Sequence, residues 1–206
     1  MCWLYSLALA LQTHDMHAGH EMALPDELSR FNHHLAGVLV ILLAAFTYME
    51  ESKFGQLKGV KYLWPLPLLG LSLYLLIRSD SELTWPPTVT GWLHDPEAIQ
   101  HKIFAVLALG IGLVELFRRT GHLQHPGWRY VFYGSMFVAA VFLLFHSGEH
   151  HTHIIHQQHL GMASAGLAIG AVRVLSDLKS GIAWLRVYLL PGLILVLGLL
   201  LVFYRE

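Results

Sequence analysis

Long apolar runs alternate with short polar connectors along this chain, a pattern that predicts membrane-crossing helices. Six runs occur, at 31–50, 60–78, 99–118, 129–147, 154–175 and 183–204. The last is the clearest, since Val187 to Tyr204 carries no charge over 18 residues. The others have shorter uncharged cores and need flanking polar positions to reach the ~20 residues that cross a ~30 Å hydrocarbon layer. None shows the polar face that a surface helix of a water-soluble protein needs. The expected fold is an all-α, polytopic membrane helix bundle of six transmembrane helices over residues 31–206, preceded by an N-terminal segment, 1–30.

The connectors carry turn and interface signals. Trp64-Pro65-Leu66-Pro67 opens the second run, Trp85-Pro86-Pro87 lies between the second and third, and His125-Pro126-Gly127-Trp128 precedes the fourth. Trp64, Trp85, Trp92, Trp128 and Trp184 fall near predicted span ends, where indole rings sit at headgroup level. Pro191-Gly192 is expected to kink the sixth span, and Gly166 with Gly170 to allow close helix approach on the fifth. Met1 to Gln12 resembles a short signal peptide, with Ala8-Leu9-Ala10 as a small-x-small site but no charged residues before it. A retained anchor dipping into the membrane is the other reading.

Composition narrows the function classes. Charged residues make up 13%, about half the ~25% of soluble chains. A net charge of −1 excludes a nucleic-acid binder that works through bulk basic charge. The single cysteine, Cys2, excludes an intrachain disulfide and Cys-rich metal sites. No nucleophile–base pair, phosphate-cradling loop or paired carboxylates stand out, and His20-Glu21 lacks the second histidine of a zinc-protease HExxH. A non-enzymatic role is the expectation. Placing the N-terminus outside puts Lys53, Lys58, Lys61, Arg118, Arg119, Arg129, Arg173, Lys179 and Arg186 inside, leaving Arg30, Arg78, Lys102 and Arg205 outside. The positive-inside rule therefore predicts both termini outside, on the periplasmic side of a bacterial inner membrane.

Histidine is the anomaly, at 15 residues against 13 Lys plus Arg. Under that topology His122 and His125 lie inside and the rest outside or at outer span ends. The segment His14-Asp15-Met16-His17-Ala18-Gly19-His20-Glu21-Met22 mixes imidazole with thioether, a ligand set that suits copper, especially Cu(I), better than zinc. A second cluster, His146, His150, His151, His153, His156 and His159, bridges the fourth and fifth spans, with Met162 three residues further on. His156 and His159 are i, i+3 and can face one ligand. Such density marks metal binding; a solvated polar tail and loop are the plainer alternatives. His33 and His34 open the first span and His101 the third.

These positions hint at a repeat. Asn32-His33-His34-Leu35, Gln100-His101-Lys102-Ile103 and Gln157-Gln158-His159-Leu160 each open an odd-numbered span. Each span ends in charge, at Glu50, Glu115 and Arg173. His101 to Glu115 and His159 to Arg173 both span fourteen residues, which returns to within about 40° on a helix. His34 to Glu50 is sixteen and breaks the register. Three helical hairpins are the reading, with His34, His101 and His159 converging at the outer mouth. Glu115 and Arg173 either pair across spans or, as the preferred expectation, reach the inner interface by snorkelling.

The His/Met segment from His14 to Met22, with His34, His101 and His159 at outer span ends, resembles the bacterial copper-resistance membrane proteins of the CopD (PcoD, YcnJ-like) type. That resemblance implies copper handling at the inner membrane, by transport or by delivery to a periplasmic cuproprotein. Two other expectations stand beside it. One is a b-type haem protein with His101 and His159 or His34 as axial ligands. The other is an accessory subunit of a larger membrane metalloenzyme or respiratory complex, docking through the 79–98 loop.

Overall fold

The computed structural model describes residues 28–78, 96–145, 153–178 and 182–205. All of the described regular structure is helical, and six helices are long and apolar enough to cross a membrane. They are α1 (Leu28–Glu51), α2 (Val60–Arg78), α3 (Pro96–Arg119), α4 (Arg129–Leu144), α5 (His153–Leu178) and α6 (Leu185–Val202). The chain is a multi-pass membrane protein. His14, Met16, His17, His20, Met22, His146, His150 and His151 lie outside the described residues, as do the signal-like start, Trp85 and Trp92.

Local chemistry sets the helix ends. Beyond α3, Gly121 takes the left-handed conformation at φ 83°, which only glycine adopts without strain and which commonly closes a helix. The His122 amide then donates back to the Phe117 carbonyl at 2.9 Å. His125 caps a short 3-10 turn at Pro126–Trp128, its Nδ1 accepting from the Gly127 amide at 3.1 Å. In α6 the backbone widens into a π-turn over Leu185–Leu189 just before Pro191. A proline lacks an N–H and crowds the carbonyl of the preceding turn, and a π-turn makes room for it.

Successive helices pack side by side, and α6 returns to α1 to close a ring. Gly37 and Gly198 make the closure: a Cβ on Gly37 would lie 2.6 Å from the Val202 amide nitrogen, and one on Gly198 would lie 3.0 Å from that of Ile41. The expected Gly166/Gly170 contact exists between α5 and α4, but at ordinary separations of 3.7 Å to Ala140 and 3.5 Å to Met136. The tightest glycine contact between membrane-spanning helices is therefore the α1–α6 seam. Among the neighbouring pairs from α2 to α6, α3 and α4 pack least closely. Leu42, Leu73, Val106, Phe137, Leu195 and Phe203 point outward and stay exposed, as lipid-facing side chains must.

The inward face repeats. Leu43, Ile111 and Ile169, each ten residues after the odd-helix histidine, meet in one core cluster with Trp64, Leu190 and Ile194. His33 to His101 and Trp64 to Phe132 are both 68 residues apart, and His101 to His159 and Phe132 to Leu190 are both 58. Odd and even helices thus shift together from one hairpin to the next, as three copies of one unit would.

Candidate functional site

The odd helices bring three imidazoles together at one end of the ring. His33 lies 5.8 Å from His101 and 6.4 Å from His159, between ring centres. The Tyr204 ring stacks on His33 at 3.9 Å and 17° and lies 5.8 Å from His159. His159 is buried at 3% exposure, as is Tyr204. His33 Nδ1 is 2.8 Å from the Ser29 carbonyl. A carbonyl only accepts, so that nitrogen carries the proton. Metal-bound histidines are prepared in this way, through the second ring nitrogen.

The histidine that converges is His33, not His34. His34 is exposed, and its Nε2 donates to the Tyr204 carbonyl at 3.2 Å. One residue of helix turns a side chain by about 100°, so adjacent histidines cannot share a target. With His33 as the anchor the irregular first span falls into line. Fourteen residues on from His33, His101 and His159 stand Thr47, Glu115 and Arg173, and all three line one small polar cavity at the far end of the bundle. Glu50 lines the same cavity three residues further on, in the register of Arg118 and Ser176 rather than of Glu115 and Arg173.

On α5 the sequence reading is also divided. Ile155, His159 and Met162 turn inward, whereas His153 and His156 are exposed. The i, i+3 pair of His156 and His159 therefore straddles the edge of the buried face. His122 bonds the Thr120 hydroxyl at 2.9 Å, and with His125 it serves local turns at the opposite end. Tyr204 was missed by sequence reasoning, although it is the first ring with a polar tip after a long uncharged run.

No family model, curated protein or solved structure matches this chain. What the site can do rests on its own geometry.

Among the described residues, no group of three or more His, Cys, Asp or Glu is arranged as a closed metal site. The shortfall is small. With metal–nitrogen bonds of about 2.0–2.1 Å, two imidazoles on one ion have ring centres roughly 5 to 5.5 Å apart. The observed 5.8 and 6.4 Å are slightly wider. Side-chain rotation within staggered wells covers such a difference.

Below the imidazoles a chamber of ≈ 250 Å³ runs down the ring axis. Its walls repeat with the helices: Ala36, Phe104 and Met162 three residues below the histidines, then Val40, Ala108 and Gly166 at seven. Asn32 stands at the rim, its carboxamide oxygen accepting from Tyr74 Oη at 3.0 Å.

The far end is closed by ion pairs. Arg119 bridges Glu50 at 2.9 Å and Glu115, and its guanidinium sits 4.8 Å over the Trp64 ring. Arg118 also pairs with Glu115, at 2.5 Å, while Glu51 receives Arg173 at 3.5 Å and Arg186 at 3.7 Å. Glu115 is only 6% exposed, so it does not snorkel as expected; neutralisation inside the bundle holds it there. Trp64 is likewise buried against the protein, its indole N–H donating to Thr47 Oγ1 at 2.8 Å. A charge in a low-dielectric interior is tolerated when paired and bonded, and this cluster supplies both.

Proposed function

We propose that this chain is a copper-binding protein of the bacterial inner membrane, with its histidine end and N-terminus on the periplasmic side. One observation carries the reading: His33, His101 and His159, from three different helices, meet at one mouth of the bundle. Imidazole suits copper, zinc and iron alike. Thioether selects among them. Met162, one turn below His159, and Met136 both line the chamber beneath the imidazoles, and sulfur favours the cuprous ion. The segment from His14 to Met22 adds the same ligand pair at the outer surface, as a capture arm.

Delivery fits this architecture better than transport through the ring. Past the imidazoles the chamber is apolar, and a cation moving through it would lose its hydration with only two thioethers in compensation. The far end is then plugged by the Glu50–Arg119–Glu115 network. Copper taken up at the mouth leaves by the same side, to a periplasmic cuproprotein or a membrane-enzyme partner.

The test is elemental analysis with an absorption spectrum on detergent-purified full-length chain. Copper retained through dialysis, and lost in the triple variant His33→Ala, His101→Ala, His159→Ala, is the expected result. Equal copper in both proteins refutes the site. A Soret band in the native chain replaces copper with the haem reading, and zinc alone refutes the choice of metal.

A further inference from the structure

We infer that the small polar cavity at the far end of the bundle binds a halide-sized inorganic anion, of which chloride is the representative. The charges around it do not balance. Its wall carries three carboxylates, Glu50, Glu51 and Glu115, against four guanidiniums, Arg118, Arg119, Arg129 and Arg173. Their charged neighbours leave the excess unchanged, since Arg186 pairs with Glu51 and Asp177 stands in the field of Arg129. The wall carboxylates are already engaged: Glu115 by Arg118 and Arg119, Glu50 by Arg119, and Glu51 by Arg173 and Arg186. Among the described residues Arg129 bonds a carbonyl, that of Pro126 at 3.1 Å, and no carboxylate. An uncompensated charge inside a membrane bundle is costly, and a bound anion removes the cost.

Hydrogen bonding points to the same kind of ligand. Arg119 and Tyr133 both line the cavity. Arg119 Nε and Tyr133 Oη are shielded from solvent and find no partner among the described residues. A guanidinium nitrogen only donates and a phenol hydroxyl can donate, and buried groups of this kind are rarely left unbonded. A ligand that only accepts satisfies both. Water accepts both bonds but leaves the charge excess in place. Size then narrows the anion. The cavity volume is ≈ 30 Å³, room for about two water molecules at ~10–15 Å³ each; a single-atom halide fits and a tetrahedral phosphate does not. Arg119 is on α3 and Tyr133 on α4, the pair that packs least closely among neighbours from α2 to α6. An anion between them ties that pair together.

The inference is independent of copper, whose imidazoles stand at the opposite end. The experiment uses full-length protein in detergent, stripped with EDTA and exchanged into sodium gluconate. Sodium chloride then replaces gluconate at constant ionic strength, and thermal melting by circular dichroism is read beside broadening of the chloride NMR line. A saturable rise in melting temperature is expected, roughly 5–11 °C once chloride reaches about 100 times its Kd, with bromide acting alike. Tyr133→Phe removes one donor and raises the half-effective chloride concentration about tenfold. Arg129→Gln removes the charge excess and abolishes the response, so misfolding of one variant leaves the other to decide. His33→Ala keeps the chloride response native while losing copper, which separates failure of this inference from failure of the metal reading. Equal melting in chloride and gluconate means a cavity that holds water only and overturns the inference. So does a chloride response unchanged in a folded Tyr133→Phe or Arg129→Gln protein, and so does stabilisation by phosphate or phosphatidylglycerol where chloride has no effect.

Discussion

Replacing Glu115 by Gln tests whether the far end of the bundle is an internal ion-pair lock or a set of side chains reaching for the membrane surface. Glu115 accepts from Arg118 at 2.5 Å and from Arg119, with its side chain 8% exposed. The isosteric amide keeps one acceptor oxygen but removes the charge. Arg118 is 29% exposed, so water relieves most of its loss. Arg119 is 12% exposed and keeps Glu50 at 2.9 Å. Breaking a buried pair outright costs about 3–5 kcal/mol. With one carboxylate still in place, about 2–3 kcal/mol is expected. For a chain of this size that is a drop of roughly 4–12 °C in melting temperature, read by circular dichroism in detergent. The cycle with Glu50→Gln sharpens the point, since removing both carboxylates leaves Arg119 uncompensated and must cost more than the sum of the single changes. A Glu115→Gln protein that melts within a degree of the native chain refutes the reasoning, because surface pairs contribute about 0–1 kcal/mol.

Other outcomes follow from the same geometry. Gly198→Leu drives a side chain into the Ile41 amide 3.0 Å from the Cβ position; it costs at least the ~1–3 kcal/mol of ordinary overpacking and, by displacing α1, lowers copper retention as well. Thr47→Val leaves the buried Trp64 indole N–H, 2.8 Å from the hydroxyl, without its acceptor, at about 1–3 kcal/mol by thermal melting. His34→Ala keeps copper retention near native while His33→Ala loses most of it, measured side by side by elemental analysis; equal loss in both undoes the register. Protons compete with metal for imidazole, so bound copper is retained at neutral pH and released as the pH falls below about 6, which dialysis across a pH series reads directly.

Six spans were legible in the chain because apolar length is set by bilayer thickness, and every predicted run overlaps a helix of the bundle. What faces what was less legible, for a physical reason. Periodicity in a membrane helix is weak, since the lipid side and the core side are both apolar, so polar residues become the only markers of the inner face. Those markers mislead when judged by charge. Glu50 outweighs Thr47 as a signal, yet Thr47 lies on the repeated face, buried at 3% and bonded to Trp64. Once Thr47 replaces Glu50, His33 replaces His34, and the three odd helices carry one pattern: histidine, then small or apolar positions at three, seven and ten, then a polar residue at fourteen. The three histidines are alike and the three partners at fourteen are not: Thr47, Glu115 and Arg173 differ in charge. Like rings meet where three helices aim a side chain at one point, and unlike residues stand where the helices hold one another through ion pairs.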